Sequence, residues 1–154
     1  MDMDSEVTKY IPGVWDGSKA HISFLKECIL CSYEEGLGYW SIFPQNNPLL
    51  FLGWILLAPY DIDAPRIEIG WRLNRSAWGK EFATEAARAI ITYAFKTVGL
   101  ECIYAYIDLG NDRSIKVAKK LGLRLFSNFI YDGVPCDAYR ITRQEYLQCE
   151  IYIQ

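Results

Sequence analysis

With 154 residues, 51% apolar and 23% charged, the chain has the size and make-up of one ordinary folded domain, which excludes collagen-like, disordered and disulfide-miniprotein classes. The formal net charge is −3, so there is no basic excess to release counterions, and general nucleic-acid binding is excluded. The aromatic share of 15%, with five Trp and eleven Tyr, suits a well-filled core and a pocket that grips an organic ligand.

In chain order, Asp4–Tyr10 is expected to form a short helix ended by Pro12-Gly13. Asp16 and Ser18 are N-cap types ahead of Ile22, Leu25, Cys28 and Ile29, whose spacing is helical; that helix is expected to run to Gly36-Leu-Gly38. Tyr39–Phe43 reads as a strand, Asn46-Asn47-Pro48 as a turn, and Leu50–Leu57 as an apolar, central strand. Pro59–Pro65 is a loop carrying Asp61 and Asp63. In Arg66–Leu73, Ile67, Ile69, Trp71 and Leu73 share one face, while Glu68, Gly70 and Arg72 share the other.

The apolar spacing from Phe82 to Phe95 marks a long helix, expected over Gly79–Thr97 and stopped by Gly99. Glu101–Ile107 is the next strand, so strand, helix and strand predict a right-handed crossover between parallel strands. Asn111 or Asp112 caps a short helix closed by Gly122; Leu123–Tyr131 and Asp137–Thr142 form a hairpin across Asp132-Gly133. The fold class is mixed α+β, with one βαβ unit inside antiparallel flanks.

Several function classes lack the residues they need. Cys28-Ile-Leu-Cys31 has CxxC spacing, but the five cysteines are spread out, no second pair follows, and packing is the simpler reading. His21 is the only histidine, which leaves a Ser-His-Asp triad nothing else to draw on. The apolar run Leu49–Ala58 is shorter than the roughly 20 helical residues of a membrane span, and Met1-Asp2-Met3-Asp4 is unlike a signal peptide, so a cytoplasmic protein with no membrane partner is expected. What remains is a strand that passes through a glycine-bearing turn into a helix, where free N–H groups and the positive dipole end suit an anion. Gly79 admits a close backbone approach and Lys80 adds charge, but neither the Walker spacing nor GxGxxG is present.

These residues carry a resemblance. Glu68-Ile-Gly70-Trp-Arg-Leu73, Trp78-Gly79-Lys80-Glu81-Phe82-Ala83-Thr84-Glu85-Ala86, Asn111-Asp-Arg-Ser114, Lys120-Leu-Gly122 and Tyr139-Arg-Ile-Thr-Arg143-Gln-Glu-Tyr146 resemble the GNAT superfamily of N-acetyltransferases, in the branch of the ribosomal-protein alanine N-acetyltransferases. The resemblance implies one acetyltransferase domain over 1–154, lacking most of the family's first strand, with a central, mostly antiparallel sheet whose two parallel strands splay apart. It implies acetyl-CoA as co-substrate, no metal, and a primary amine, of a protein N-terminus or a small molecule, that attacks the thioester directly. The pantetheine arm maps to Trp71–Leu73 and the pyrophosphate to the turn Trp78, Gly79, Lys80, Glu81, Phe82, Ala83, Thr84. Asn111 and Ser114 map beside the second strand, with Ser114 assisting the leaving thiolate.

The family's central glycine is replaced by Glu81, and Ala118 stands where a tyrosine acid is frequent. Glu68 is the candidate general base; a structural pair with Arg72 or another cation is the plain alternative, and Glu101, Asp61 and Asp63 are weaker rivals. Trp40, Trp54, Trp71 and Trp78 either line an acceptor pocket or pack the core. Arg113, Lys116, Lys119 and Lys120 form a basic helix face, by default a solvated one, from which some could reach CoA phosphates. Two other readings stand beside the enzyme: a non-catalytic module that binds CoA or another ligand, and a partner-binding protein forming a homodimer through an exposed sheet edge.

Overall fold

The computed structural model describes residues 1–13, 15–60, 66–131 and 133–151. The loop with Asp61 and Asp63, and the turn residue Asp132, lie outside the described residues. Six strands form one mixed sheet in the order β1-β2-β3-β4-β6-β5: β1 Gly38–Ile42, β2 Gly53–Pro59, β3 Ile67–Leu73, β4 Cys102–Asp108, β5 Arg124–Tyr131 and β6 Val134–Thr142. Every neighbouring pair is antiparallel except β3 and β4. The crossover between those two carries α3, Phe82–Tyr93. The remaining helices are α1 (Ser5–Thr8), α2 (Lys19–Leu30), α4 (Asp112–Lys120) and α5 (Arg143–Ile151). None of the described helices is long and apolar enough to cross a membrane.

The core lies between the sheet and α3. Ile55, Leu57, Ile69, Ile103 and Ile141 point from one sheet face toward Ile91 and Phe95, and all seven are almost fully buried. Each such side chain contributes about 1.5–3 kcal/mol relative to exposure. The alternation forecast for Arg66–Leu73 holds, with Ile69 and Leu73 buried on that face.

Several boundaries differ from the sequence reading, β6 starting at Val134 rather than Asp137 among them, and four have a clear local reason. β2 starts at Gly53, not Leu50: residues 44–50 are taken up by turns, Asn47 N–H to Pro44 O and Leu50 N–H to Asn47 O, leaving Leu49 92% exposed. Gly53 then brings β2 so close to β3 that a Cβ there would lie 2.1 Å from the Arg72 carbonyl oxygen. α2 ends at Leu30, because Cys31 turns extended, rather than reaching Gly36. α3 begins at Phe82, after two left-handed residues (Gly79, φ 71° and Glu81, φ 62°). Its far end widens into a π-turn over Ala94–Val98, where the Gly99 and Leu100 N–H groups both return to the Ala94 carbonyl.

α5 was not foreseen as a helix. Its start is a reciprocal capping box: Glu145 accepts from the Thr142 N–H at 2.8 Å, and Thr142 Oγ1 accepts from the Glu145 N–H at 3.3 Å. Tyr146 then packs on Phe95 and shares a 3.0 Å hydrogen bond with Thr92. The capping assignments made from sequence hold: Ser18 accepts from His21 N–H and Asn111 from Ser114 N–H. None of the five cysteines forms a disulfide, and His21 is buried with Nδ1 accepting from the Gly17 N–H.

Candidate active site

β3 and β4 share a single bridging pair, Glu68 with Tyr104. Beyond it the parallel strands part, and a cleft of about 820 Å³ runs between them, reaching both faces of the sheet. Glu68, Ser114 and every residue mapped to the pantetheine arm or the pyrophosphate turn line this cleft except Lys80, which is exposed outside it, and Asn111 lines it as well.

On the α3 side, the N–H groups of Phe82, Ala83 and Thr84 precede the first intrahelical bond, from Glu85 N–H to Glu81 O at 2.9 Å. They present free donors at a positive dipole end. Gly79 leaves open space, with nothing within 4 Å of where a Cβ would stand. Trp78 closes the turn by donating its indole N–H to the Leu73 carbonyl at 2.9 Å, and Arg113 lies over its ring at 4.4 Å. Lys116 and Lys120 line the same half, whereas Lys119 does not. Trp71 donates to Ser114 Oγ at 3.3 Å, tying β3 to the first turn of α4 across the opening. Asn111 fixes that turn through its cap. Ala118, in place of a tyrosine, is fully buried in the core.

Glu81 occupies the left-handed position where the family pattern has glycine, a conformation that costs a side chain free energy and a glycine almost none. Its carboxylate turns to Lys120 Nζ at 2.5 Å and stays 60% exposed, so it does not cap the α3 donors. Lys120 and Thr84 hold this carboxyl below its ordinary range.

On the opposite sheet face lie Trp54, Leu56, Glu68, Gly70, Arg72 and Tyr106. The sequence alternative of a Glu68–Arg72 pair is overturned: Arg72 pairs with Asp2 at 3.0 Å and is stacked between Trp15 and Trp54, at 4.2 and 4.9 Å. Glu68 is left with no described hydrogen-bond or ion-pair partner, and burial alone pushes its carboxyl up to about 7. Glu101 is exposed, pairs with Arg143 and lies away from the cleft. Trp40 also lies away, edge-on to Tyr93, while Trp54, Trp71 and Trp78 line the cleft.

The sequence reading missed the outer wall of this half. Glu6, Tyr10 and Trp15 come from the N-terminal segment, which is held to β3 by Asp2–Arg72 and to the turn after β3 by an Asp4–Arg75 ion pair. The ring of Tyr10 reaches Gly110, just past β4. Nothing in the local pattern of residues 1–17 announces that role. Tyr106, in contrast, was legible: alternation along β4 sets it on the Glu68 face.

The mixed sheet thus splays at its parallel pair, and one continuous cleft joins an anion-ready turn to a half-buried carboxyl. Residues 1–124 match the acetyltransferase (GNAT) domain family. The chain therefore belongs to the GNAT acetyltransferases. It is 30% identical to the FsC-acetyl coenzyme A-N(2)-transacetylase of Aspergillus fumigatus, over 97% of this chain and 70% of that protein. It is 39% identical to the uncharacterized N-acetyltransferase p20 of Bacillus licheniformis, over 79% of this chain and 68% of that protein. A GNAT-family acetyltransferase from Bacillus anthracis superposes with a TM-score of 0.70 at 27% identity, covering 93% of this chain and 85% of the other. The fold is also that of a spermidine N-acetyltransferase from Vibrio cholerae in complex with CoA and spermine, with a TM-score of 0.71 at 16% identity over 95% and 88% of the two chains.

Proposed function

We propose that the chain, taken as one domain over 1–154, transfers acetyl from acetyl-CoA to a primary amine by direct attack. The observation that carries this reading is the single cleft joining the α3 donor turn to the unpaired Glu68 through the β3–β4 splay. In this reading the free N–H groups of Phe82, Ala83 and Thr84, with Arg113, Lys116 and Lys120, hold the pyrophosphate and phosphate, and the exposed edge of β3 at Trp71–Leu73 takes the pantetheine arm.

Glu68 accepts a proton from the incoming ammonium, directly or through one water. The amine lone pair then forms the C–N bond to the thioester carbonyl carbon. The C–S bond breaks, its electron pair goes to the CoA sulfur, and Ser114 donates a hydrogen bond to that thiolate as it takes up a proton. The products are the amide and the free thiol. A carboxyl near 7 is poised for this at neutral pH. We also place the chain, on the motifs of residues 67–146, in the ribosomal-protein alanine N-acetyltransferase branch.

Calorimetric titration with acetyl-CoA, followed by an amine panel read by free-thiol release, tests the function. Binding with amine-dependent thiol release is expected; absence of both at millimolar ligand refutes it. A second reading, a module that binds CoA without turnover, is favoured by one observation: Glu81 puts a carboxylate beside the phosphate half. Binding without thiol release for every amine would select it.

A further inference from the structure

The acceptor half of the cleft is built from aromatic rings. Tyr10, Trp15, Tyr39, Trp54, Tyr60 and Tyr106 line it, and Gly70 leaves the floor between them without a side chain. Trp54 meets Tyr39 edge-on at 5.0 Å, and Tyr60 lies on Tyr106 at 4.1 Å, so two ring clusters flank the Glu68–Gly70 stretch of β3. Such walls favour a flat apolar body over a flexible hydrated chain.

The charges of this half are equally specific. Its carboxylates are Glu6, Glu68 and Asp108, and among the described lining residues its cation is Arg72. Arg113, Lys116 and Lys120 belong to the other half, on α4. Arg72 is already neutralised: its side chain is 9% exposed, Asp2 pairs with it at 3.0 Å and is itself 15% exposed, and two indoles cover the guanidinium faces. A ligand carboxylate would meet an occupied guanidinium, the Asp2 carboxylate and three further acids. The buried Nε–H of Arg72 has no described partner and suits a neutral oxygen.

We propose that the acceptor is a small aromatic primary amine without a carboxylate, and that the Asp2–Arg72 pair enforces the exclusion of the amino acid that carries one. This rests on the acetyl-transfer reading and adds the substrate class and a specificity residue outside the reacting atoms. The transfer itself is unchanged: the amine nitrogen bonds the acetyl carbon, the sulfur leaves with the electron pair, and the ammonium protons pass to Glu68 and the thiolate.

The test uses the full chain with acetyl-CoA and matched acceptors: tyramine, tyrosine, n-butylamine, spermidine and a short peptide with a free N-terminus. Tyramine is expected to exceed tyrosine by at least about 100-fold in kcat/KM, because a site without a partner for a charged group rejects it by about that factor or more. Tyramine is expected to exceed n-butylamine by at least about tenfold, the scale of a ring-sized apolar contact. Asp2→Asn frees Arg72 and is expected to narrow the tyramine-to-tyrosine ratio by at least about tenfold. Equal use of tyrosine or n-butylamine, or preference for spermidine or the peptide, overturns the inference while leaving acetyl transfer intact. Failure to bind acetyl-CoA, or to release thiol with any amine, overturns the underlying function instead. The wild-type comparison decides the substrate class even where Asp2→Asn does not fold; in a folded Asp2→Asn, an unchanged ratio removes Asp2 from the specificity argument.

Discussion

Glu68→Gln separates two consequences of the same half-buried carboxyl. In the folded chain burial lifts this group to about 7 from its ordinary value of 4.5. Folding therefore favours the protonated form. The group's contribution to stability is at its highest below pH 4.5, falls as pH rises from 4.5 to 7, and is at its lowest above 7. The gap corresponds to about 3 kcal/mol at about 1.4 kcal/mol per tenfold step. Glutamine keeps the shape and never ionises. Relative to wild type, Glu68→Gln is expected to be near neutral at pH 4.5 and to gain about 3 kcal/mol at pH 8.5, which is about 6–12 °C in Tm for a domain of this size.

Denaturant titrations of both proteins at pH 4.5, 6, 7 and 8.5 measure that difference directly. The kinetic arm reads the same proton. Wild-type kcat/KM is expected to rise tenfold per pH step below about 7 and then level off, as the base loses its proton. Glu68→Gln is expected to lower kcat/KM by about 10²–10⁴-fold and to erase that inflection. A stability difference that does not change between pH 4.5 and 8.5 refutes the burial argument. An inflection near 7 that survives in Glu68→Gln refutes the general-base role, whatever stability does.

Glu81→Gly removes a side chain from a left-handed position and a negative charge from the phosphate half; the Kd for CoA, by calorimetry at low salt, is expected to tighten by about three- to fivefold, and less at high salt. Asn111→Ala removes the α4 cap bond to Ser114 N–H; thermal melts are expected to show a loss of about 1 kcal/mol, or about 2–4 °C. Gly70→Ala places a Cβ 3.7 Å from Leu56, an ordinary contact, so circular dichroism is expected to show an unchanged Tm while kcat/KM falls as the methyl narrows the acceptor floor. Ser114→Ala is expected to reduce kcat with little change in the Kd for CoA, measured in parallel by stopped assay and calorimetry.

Where one residue decided the local structure, the sequence was readable. The glycine at 99 ended its helix, Asn111 capped the next, and strict alternation in Arg66–Leu73 placed Glu68 and Gly70 on the face away from the core. The start of β2 was not readable, because Leu49, Leu50 and Phe51 are as apolar as the strand that follows, and only the close approach of Gly53 to the Arg72 carbonyl sets the register. α5 carried a legible capping box in Thr142-Arg-Gln-Glu145 that apolar spacing did not reveal. In the site, the donor turn and the carboxyl were visible because local chemistry marks them. The N-terminal wall was hidden because Asp2 and Arg72 are seventy positions apart and neither type is expected in a buried pair.

That hidden pair explains a feature of the cleft that charge counting alone leaves open. A guanidinium beside Glu68 would, by Coulomb attraction, hold the carboxyl low and take away its capacity to accept a proton at neutral pH. Asp2 takes up that charge, and Trp15 and Trp54 cover its faces, so the only cation on the Glu68 face of the described cleft lining is neutralised without touching Glu68. The carboxyl is then left to burial, which pushes it up to about 7. On the proposed acetyl-transfer reading, the N-terminal segment acts on both partners: it walls the acceptor half with Tyr10 and Trp15, and through Asp2 it preserves the basicity of Glu68. Asp2→Asn is accordingly expected to shift the kcat/KM inflection to lower pH, because the uncompensated positive charge of Arg72 on the same face favours the ionised carboxyl, and an inflection that stays in place would refute this coupling.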